Sequence, residues 1–132
     1  MAEAFFDSNV LLYLISGDAE KASLAEAALA RGGHASVQVL NEFTNVARRK
    51  ASLSWREVDD VLGLVRRVCE IHPLLLQTHD RARTIAERFG IAFYGALIVS
   101  SAELARCRVI YSEDFQDGQR FENGLVIRNP FR

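Results

Sequence analysis

The chain has 132 residues, 49% of them hydrophobic and 25% charged, which is enough apolar material for one self-sufficient core. Its net charge of −1 excludes a protein that coats nucleic acid by bulk charge, so any RNA contact must come from a local basic patch. The two cysteines, Cys69 and Cys107, lie far apart in apolar stretches and read as small core residues of a reducing compartment.

In chain order, Ala4-Phe5-Phe6 is a short apolar run ending in an acid, as expected of a buried parallel strand. Asp18 caps a helix carrying Ala22, Ala25, Ala28 and Leu29 at helical spacing, and Gly32-Gly33 stops it. After His34-Ala35, Ser36 caps a helix with the stripe Val39, Leu40, Phe43, Val46 and Ala47. Ser54 and Glu57 form a capping box ahead of Val58, Val61, Leu62, Val65, Val68 and Cys69. Residues 71–76 read as a strand with Pro73 near its start or at an edge. Thr78 is expected to cap a helix that Gly90 ends, and a further helix, uncharged until Glu103, is expected from about Gly95 to Arg106. Residues 109–111 and 125–127 complete the strands.

Short apolar strands alternating with amphipathic helices predict an α/β sandwich around a mainly parallel sheet, as a single domain over 1–132. The N-terminus has no basic segment or cleavage site of a signal peptide. The longest uncharged stretch, Phe89 to Ala102, falls short of the ~18 residues of a bilayer span, so a cytoplasmic protein is expected.

Ligands of open parallel sheets collect at the carboxyl ends of strands, and two strands here run into Asp7 and Asp114. If the strands are neighbours, the two carboxylates meet at one rim and suit a hard divalent ion. Each is equally an acid that caps the following helix. Glu42 falls on the edge of its helix's apolar stripe, either reaching over the rim or standing as a solvated flank residue. Arg48, Arg49 and Lys50 end that helix; they guide RNA or complement the helix dipole, a role that also accounts for Arg66-Arg67. His34, His72 and His79 lack metal-ligand spacing and are assigned no role.

FFDSNVLLYLISGD, SVQVLNEFTNVARRK, FYGALIVSSAE and VIYSEDFQDGQ together resemble the PIN-domain family, most of all the VapC-type toxins of bacterial toxin–antitoxin pairs. The resemblance runs over nearly the whole chain. It implies a central parallel sheet of about five strands flanked by helices, and Mg²⁺- or Mn²⁺-dependent endonucleolytic cleavage of RNA. It matches Asp7 to the first acid, Glu42 to the second and Asp114 to the acid after the late strand, with Asp117 as an accessory acid. It further implies a cognate antitoxin and, with the apolar-edged helices, a homodimer. The departure is Gly95: FYGALI stands where such toxins carry F-Y-D-A-L-I, and Glu103, about two turns on, cannot take over. The resulting expectation is a toxin-type endoribonuclease impaired by a single-codon change at Gly95. The alternative is a non-catalytic PIN module that binds RNA or a protein partner. A response-regulator-like domain using Asp7 fails for want of a suitably placed Lys.

Overall fold

The computed structural model describes residues 3–132; Met1 and Ala2, at the head of the expected domain, lie outside the described residues. Five strands form one all-parallel sheet in the order β3-β2-β1-β4-β5. They are β1 (Ala4–Phe6), β2 (Gly33–Ser36), β3 (Cys69–His72), β4 (Val109–Tyr111) and β5 (Val126–Arg128). The helices are α1 (Ser8–Tyr13), α2 (Ala19–Ala30), α3 (Val37–Arg49), α4 (Trp55–Val68), α5 (Leu76–Phe89) and α6 (Phe93–Leu104).

β1 is central, and Phe5 and Phe6, pointing to opposite faces, are both fully buried. The chain steps outward from β1 through β2 to β3, then returns to β4 on β1's other side. Right-handed crossovers switch faces when that direction reverses. Accordingly α1 packs on α2 and α3, and α4 on α3, while α5 and α6 pack together as a separate pair. The reversal leaves a crevice at the carboxyl ends of β1 and β4.

Local signals set most element ends. Ser54 and Glu57 make both capping-box bonds, at 2.8 and 3.1 Å, and Gly90 ends α5 at φ 65°. β2 is the strand that the sequence conceals. GHAS is short and poor in strand formers, and it pairs because β1 and β3 flank it on both sides. Gly33 is needed there: a Cβ would lie 2.5 Å from the Ala4 carbonyl oxygen and 2.7 Å from the Phe6 ring.

Three boundaries differ from expectation. β3 spans Cys69–His72 rather than 71–76, because β2, its only partner among the described residues, ends at Ser36 opposite His72. α5 begins at Leu76, and Thr78 sits inside its first turn, where its Oγ accepts from the Leu75 N–H at 3.1 Å. α6 begins at Phe93, so Gly95 is its third residue rather than its first. Cys69 and Cys107 are buried and unbridged, and burial pushes their thiols up to about 11 and about 12. Among the described residues, no single helix is long and apolar enough to cross a membrane.

Candidate functional site: an acidic cleft at the sheet's switch point

Asp7 follows β1 directly, and its N–H continues the ladder to the Tyr111 carbonyl at 3.0 Å. The residue is 5% exposed. Oδ1 accepts from the Ser8 N–H at 2.7 Å and Oδ2 from the Ser112 hydroxyl at 2.8 Å. Ser112 Oγ in turn accepts from Asn9 Nδ2 at 3.3 Å and from the Asp114 N–H at 3.1 Å. Asn9 Oδ1 takes the Glu113 N–H at 3.2 Å. Asn9 and Ser112 therefore clip the loop after β4 onto the start of α1 and set Asp114 beside Asp7. Glu113 secures the same loop from behind, accepting from Tyr13 Oη at 2.6 Å and Lys21 Nζ at 3.1 Å.

Glu42 reaches the crevice from the second turn of α3 and is half-buried. Gln38, one turn earlier and 5% exposed, donates to Glu42 Oε1 at 3.5 Å and to the Tyr94 carbonyl at 3.1 Å. It thereby couples α3 to the first turn of α6. Asp7, Ser8, Glu42, Tyr94, Gly95 and Asp114 line a cleft of ≈ 420 Å³, together with Phe115 and Gln119, and no Lys or Arg is among the lining residues. Asp114 stands exposed at its lip.

The electrostatics follow. Burial lifts the Asp7 carboxyl above the ordinary carboxylate range; its hydrogen bonds oppose the rise and the charge of Asp114 adds to it. Glu42 is raised by burial first, and then by the charges of Asp7 and Asp114. A group whose folded pKa lies above its unfolded value subtracts stability at neutral pH. The deficit is recovered as pH falls through the folded pKa toward the ordinary carboxylate value. Asp7→Asn keeps the Ser8 cap acceptor and removes the charge, so its melting temperature at pH 7 is expected to equal or exceed that of the unaltered chain. The difference should shrink toward pH 4. A clear drop at pH 7, equivalent to about 1 kcal/mol, would make Asp7 a structural cap instead.

Gly95 faces the cleft, with Phe115 against it. A Cβ at Gly95 would lie 3.2 Å from Phe115 Cζ and 3.4 Å from Cε1, so an Asp there meets no backbone but requires the ring to yield a few tenths of an ångström. Glu103 is occupied elsewhere, bridged by Arg81 at 2.9 and 3.3 Å.

The other sequence-predicted residues stand apart from the cleft. Asp117 does not line it, and its Oδ1 accepts from the Asn129 N–H at 2.8 Å. Arg48, Arg49 and Lys50 end α3 about 9 Å or more along its axis from Glu42, on the side away from the rim. Arg48 donates to the Leu53 carbonyl at 2.8 Å and lies over the Trp55 ring at 4.4 Å. Asn9, Gln38 and Ser112 were missed by sequence reasoning. For Asn9 and Ser112 the local hint was the polar run straight after β1, in DSN, and after β4, in SED, whereas Gln38 left none. His34 and His72, assigned no role from spacing, come within 2.8 Å of each other.

An all-parallel sheet with acids gathered at its switch point defines an α/β protein with an acidic cleft. The chain belongs to the PIN-domain family, whose model matches residues 4–117. Solved structures agree in fold. VapC20 of Mycobacterium tuberculosis, a sarcin–ricin-loop-cleaving toxin, superposes with a TM-score of 0.70 at 17% identity, covering 86% of this chain and 91% of that one. A toxin–antitoxin complex from Klebsiella pneumoniae gives 0.71 at 20% identity, covering 96% and 97%. VapBC2 from Rickettsia felis, bound to a DNA fragment from its promoter, gives 0.66 at 19%, again covering 96% and 97%. Among curated proteins, none is similar enough to match the chain.

Proposed function

We propose that this protein is a toxin-type, metal-dependent endoribonuclease whose activity is impaired by Gly95. The observation that carries the reading is the convergence of Asp7, Glu42 and Asp114, from three separate elements, on one cleft with no cationic side chain in its lining. Like charges held this close, two of them with raised pKa, fit a hard divalent cation. Asp7 and Asp114 would hold Mg²⁺ or Mn²⁺, with Glu42 beside them. When bound, the ion supplies a polarised water and charge neutralisation at the scissile phosphate.

The chain's own groups do the rest. Ser112 and the Ser8 N–H fix the Asp7 carboxylate, and Gln38 holds Glu42 toward the cleft. Glu42, raised by burial and then by its acidic neighbours, stands where it can accept a proton from water. Ala92, Tyr94 and Gly95 bring the uncapped N-terminus of α6 to the cleft, where its N–H groups favour a phosphate. The position of Arg48, Arg49 and Lys50 favours the helix-dipole role over RNA guidance. RNA cleavage by the Gly95→Asp variant, with and without EDTA, is the test. One observation favours the second reading, a non-catalytic module: Phe115 already fills the space over Gly95, as in a chain settled around its glycine.

A cognate antitoxin is the expected partner, as in the toxin–antitoxin assemblies it resembles. A basic side chain from it would neutralise the three acids. Leu14, Leu29, Leu64 and Val68 line an apolar furrow between α2 and α4, and Leu64 is 60% exposed. Apolar surface of this kind supports association with a partner, and in the isolated protein a two-fold homodimer. Light scattering at micromolar concentration should give twice the chain mass; a strictly monomeric mass would remove the dimer. A cytoplasmic location accompanies this reading.

A further inference from the structure

The parallel pairing of β2 and β3 sets His34 opposite Glu70 and Ser36 opposite His72. Alternate strand residues share a face, so His34, Glu70 and His72 project from the same side of the sheet at its β3 edge. His34 Nδ1 lies 2.8 Å from His72 Nε2, the two rings are stacked at 5.0 Å, and Glu70 Oε2 lies 3.7 Å from His72 Nε2. One ligand atom from each residue falls within 4.8 Å of the other two.

We propose that His34, His72 and Glu70 form a transition-metal site for Zn²⁺ or an ion of similar ligand preference. The site is separate from the acidic cleft and does not depend on the nuclease reading.

Zinc binds imidazole nitrogen at about 2.0–2.1 Å, which sets two nitrogens about 3.3 Å apart on a tetrahedral ion. The two rings therefore need to part by only about half an ångström. Glu70, 3.7 Å from His72 Nε2 and within 4.8 Å of both nitrogens, has to close onto the pair, and its side chain is 70% exposed and able to swing. At 2.8 Å one imidazole donates a proton to the other. When both nitrogens turn to the metal, the donating ring takes up its other tautomer, its proton moving to the far ring nitrogen. Three protein ligands leave a fourth position for water.

The donor set selects against Mg²⁺ and Ca²⁺, which take oxygen ligands. The ligand set holds only one carboxylate, and in the depression that His34 and Glu70 share, Arg31 and Arg106 offset Glu3 and Glu70. No net negative charge is left to gather a hard cation, so binding rests on nitrogen donors.

The test is titration of EDTA-stripped protein with zinc chloride, followed by calorimetry and by the side-chain ¹⁵N signals of the histidines. One tightly held ion per chain is expected at the histidines, distinct from the weaker, oxygen-ligated binding in the acidic cleft, which Asp114→Asn reduces. The signals of His34 and His72 should shift while that of His79, packed edge-on against Phe93, stays in place. His34→Ala and His72→Ala should each weaken binding by about tenfold or more, whereas Asp114→Asn in the cleft should not. Magnesium chloride at equal concentration should leave all three histidine signals unmoved. The site is overturned if the His34→Ala/His72→Ala variant binds zinc as tightly as the unaltered chain. It is equally overturned if saturating zinc leaves His34 and His72 unshifted. The spectra of the unaltered protein decide the matter even if a variant fails to fold.

Discussion

Gly95→Asp is expected to raise Mg²⁺- or Mn²⁺-dependent RNA cleavage by about a hundredfold or more, with EDTA abolishing the gain. An Asp at the third residue of α6 stands in the first turn, where the helix dipole favours a carboxylate. From there it faces Asp7 and Asp114 across the cleft. Without metal, a fourth acid adds repulsion, so the variant should melt lower in EDTA and recover on adding Mn²⁺. The obstacle is Phe115, backed by Phe121 at 6.2 Å between ring centres. If the ring refuses to yield, Phe115→Leu in the same chain should release the activity. Asp7→Ala on top of Gly95→Asp should remove it again. A folded, metal-bound Gly95→Asp/Phe115→Leu chain that leaves diverse RNAs intact would establish the non-catalytic module instead. Strong cutting by the unaltered chain would show that Asp7, Glu42 and Asp114 suffice.

Phe43→Ala should cost about 3–5 kcal/mol, a large share of the 5–15 kcal/mol typical of a domain's total stability. Phe43 is fully buried on the apolar stripe of α3 and seats that helix in the core. The loss combines the transfer of an aromatic ring to water with the cavity left behind. Urea denaturation measures it, and Asn41→Ala on the exposed flank of the same helix is the control, expected within about 0.5 kcal/mol of the unaltered chain. Because Glu42 is the preceding residue, the same substitution should loosen the platform that presents it. A loss under about 1 kcal/mol would mean that α3 is held by its caps and neighbours rather than by this ring.

Much of this was legible in the sequence because its causes are local. The Ser54–Glu57 box and the Gly90 stop act between residues within a few positions of each other. The stripes on α3 and α4 and the apolar runs of β1 and β4 are likewise written in adjacent residues, and they predict the α/β parallel sheet that is observed. Asp7 and Asp114 were legible as acids at strand ends, and Gly95 as a departure from a resemblance.

The tertiary structure decided the rest. β2 is a strand only because β1 and β3 flank it, and β3 ends at His72 only because β2 ends opposite it. Strand order brings the ends of β1 and β4 together, where Asn9 and Ser112 set Asp114 beside Asp7, and it gathers His34, Glu70 and His72 into one cluster, while Asp117 is held by Asn129. Caps and periodicity act through bonds to near neighbours and so leave a mark in the sequence. Contacts between residues up to about a hundred positions apart are fixed by which strands lie side by side, and no local pattern encodes that choice.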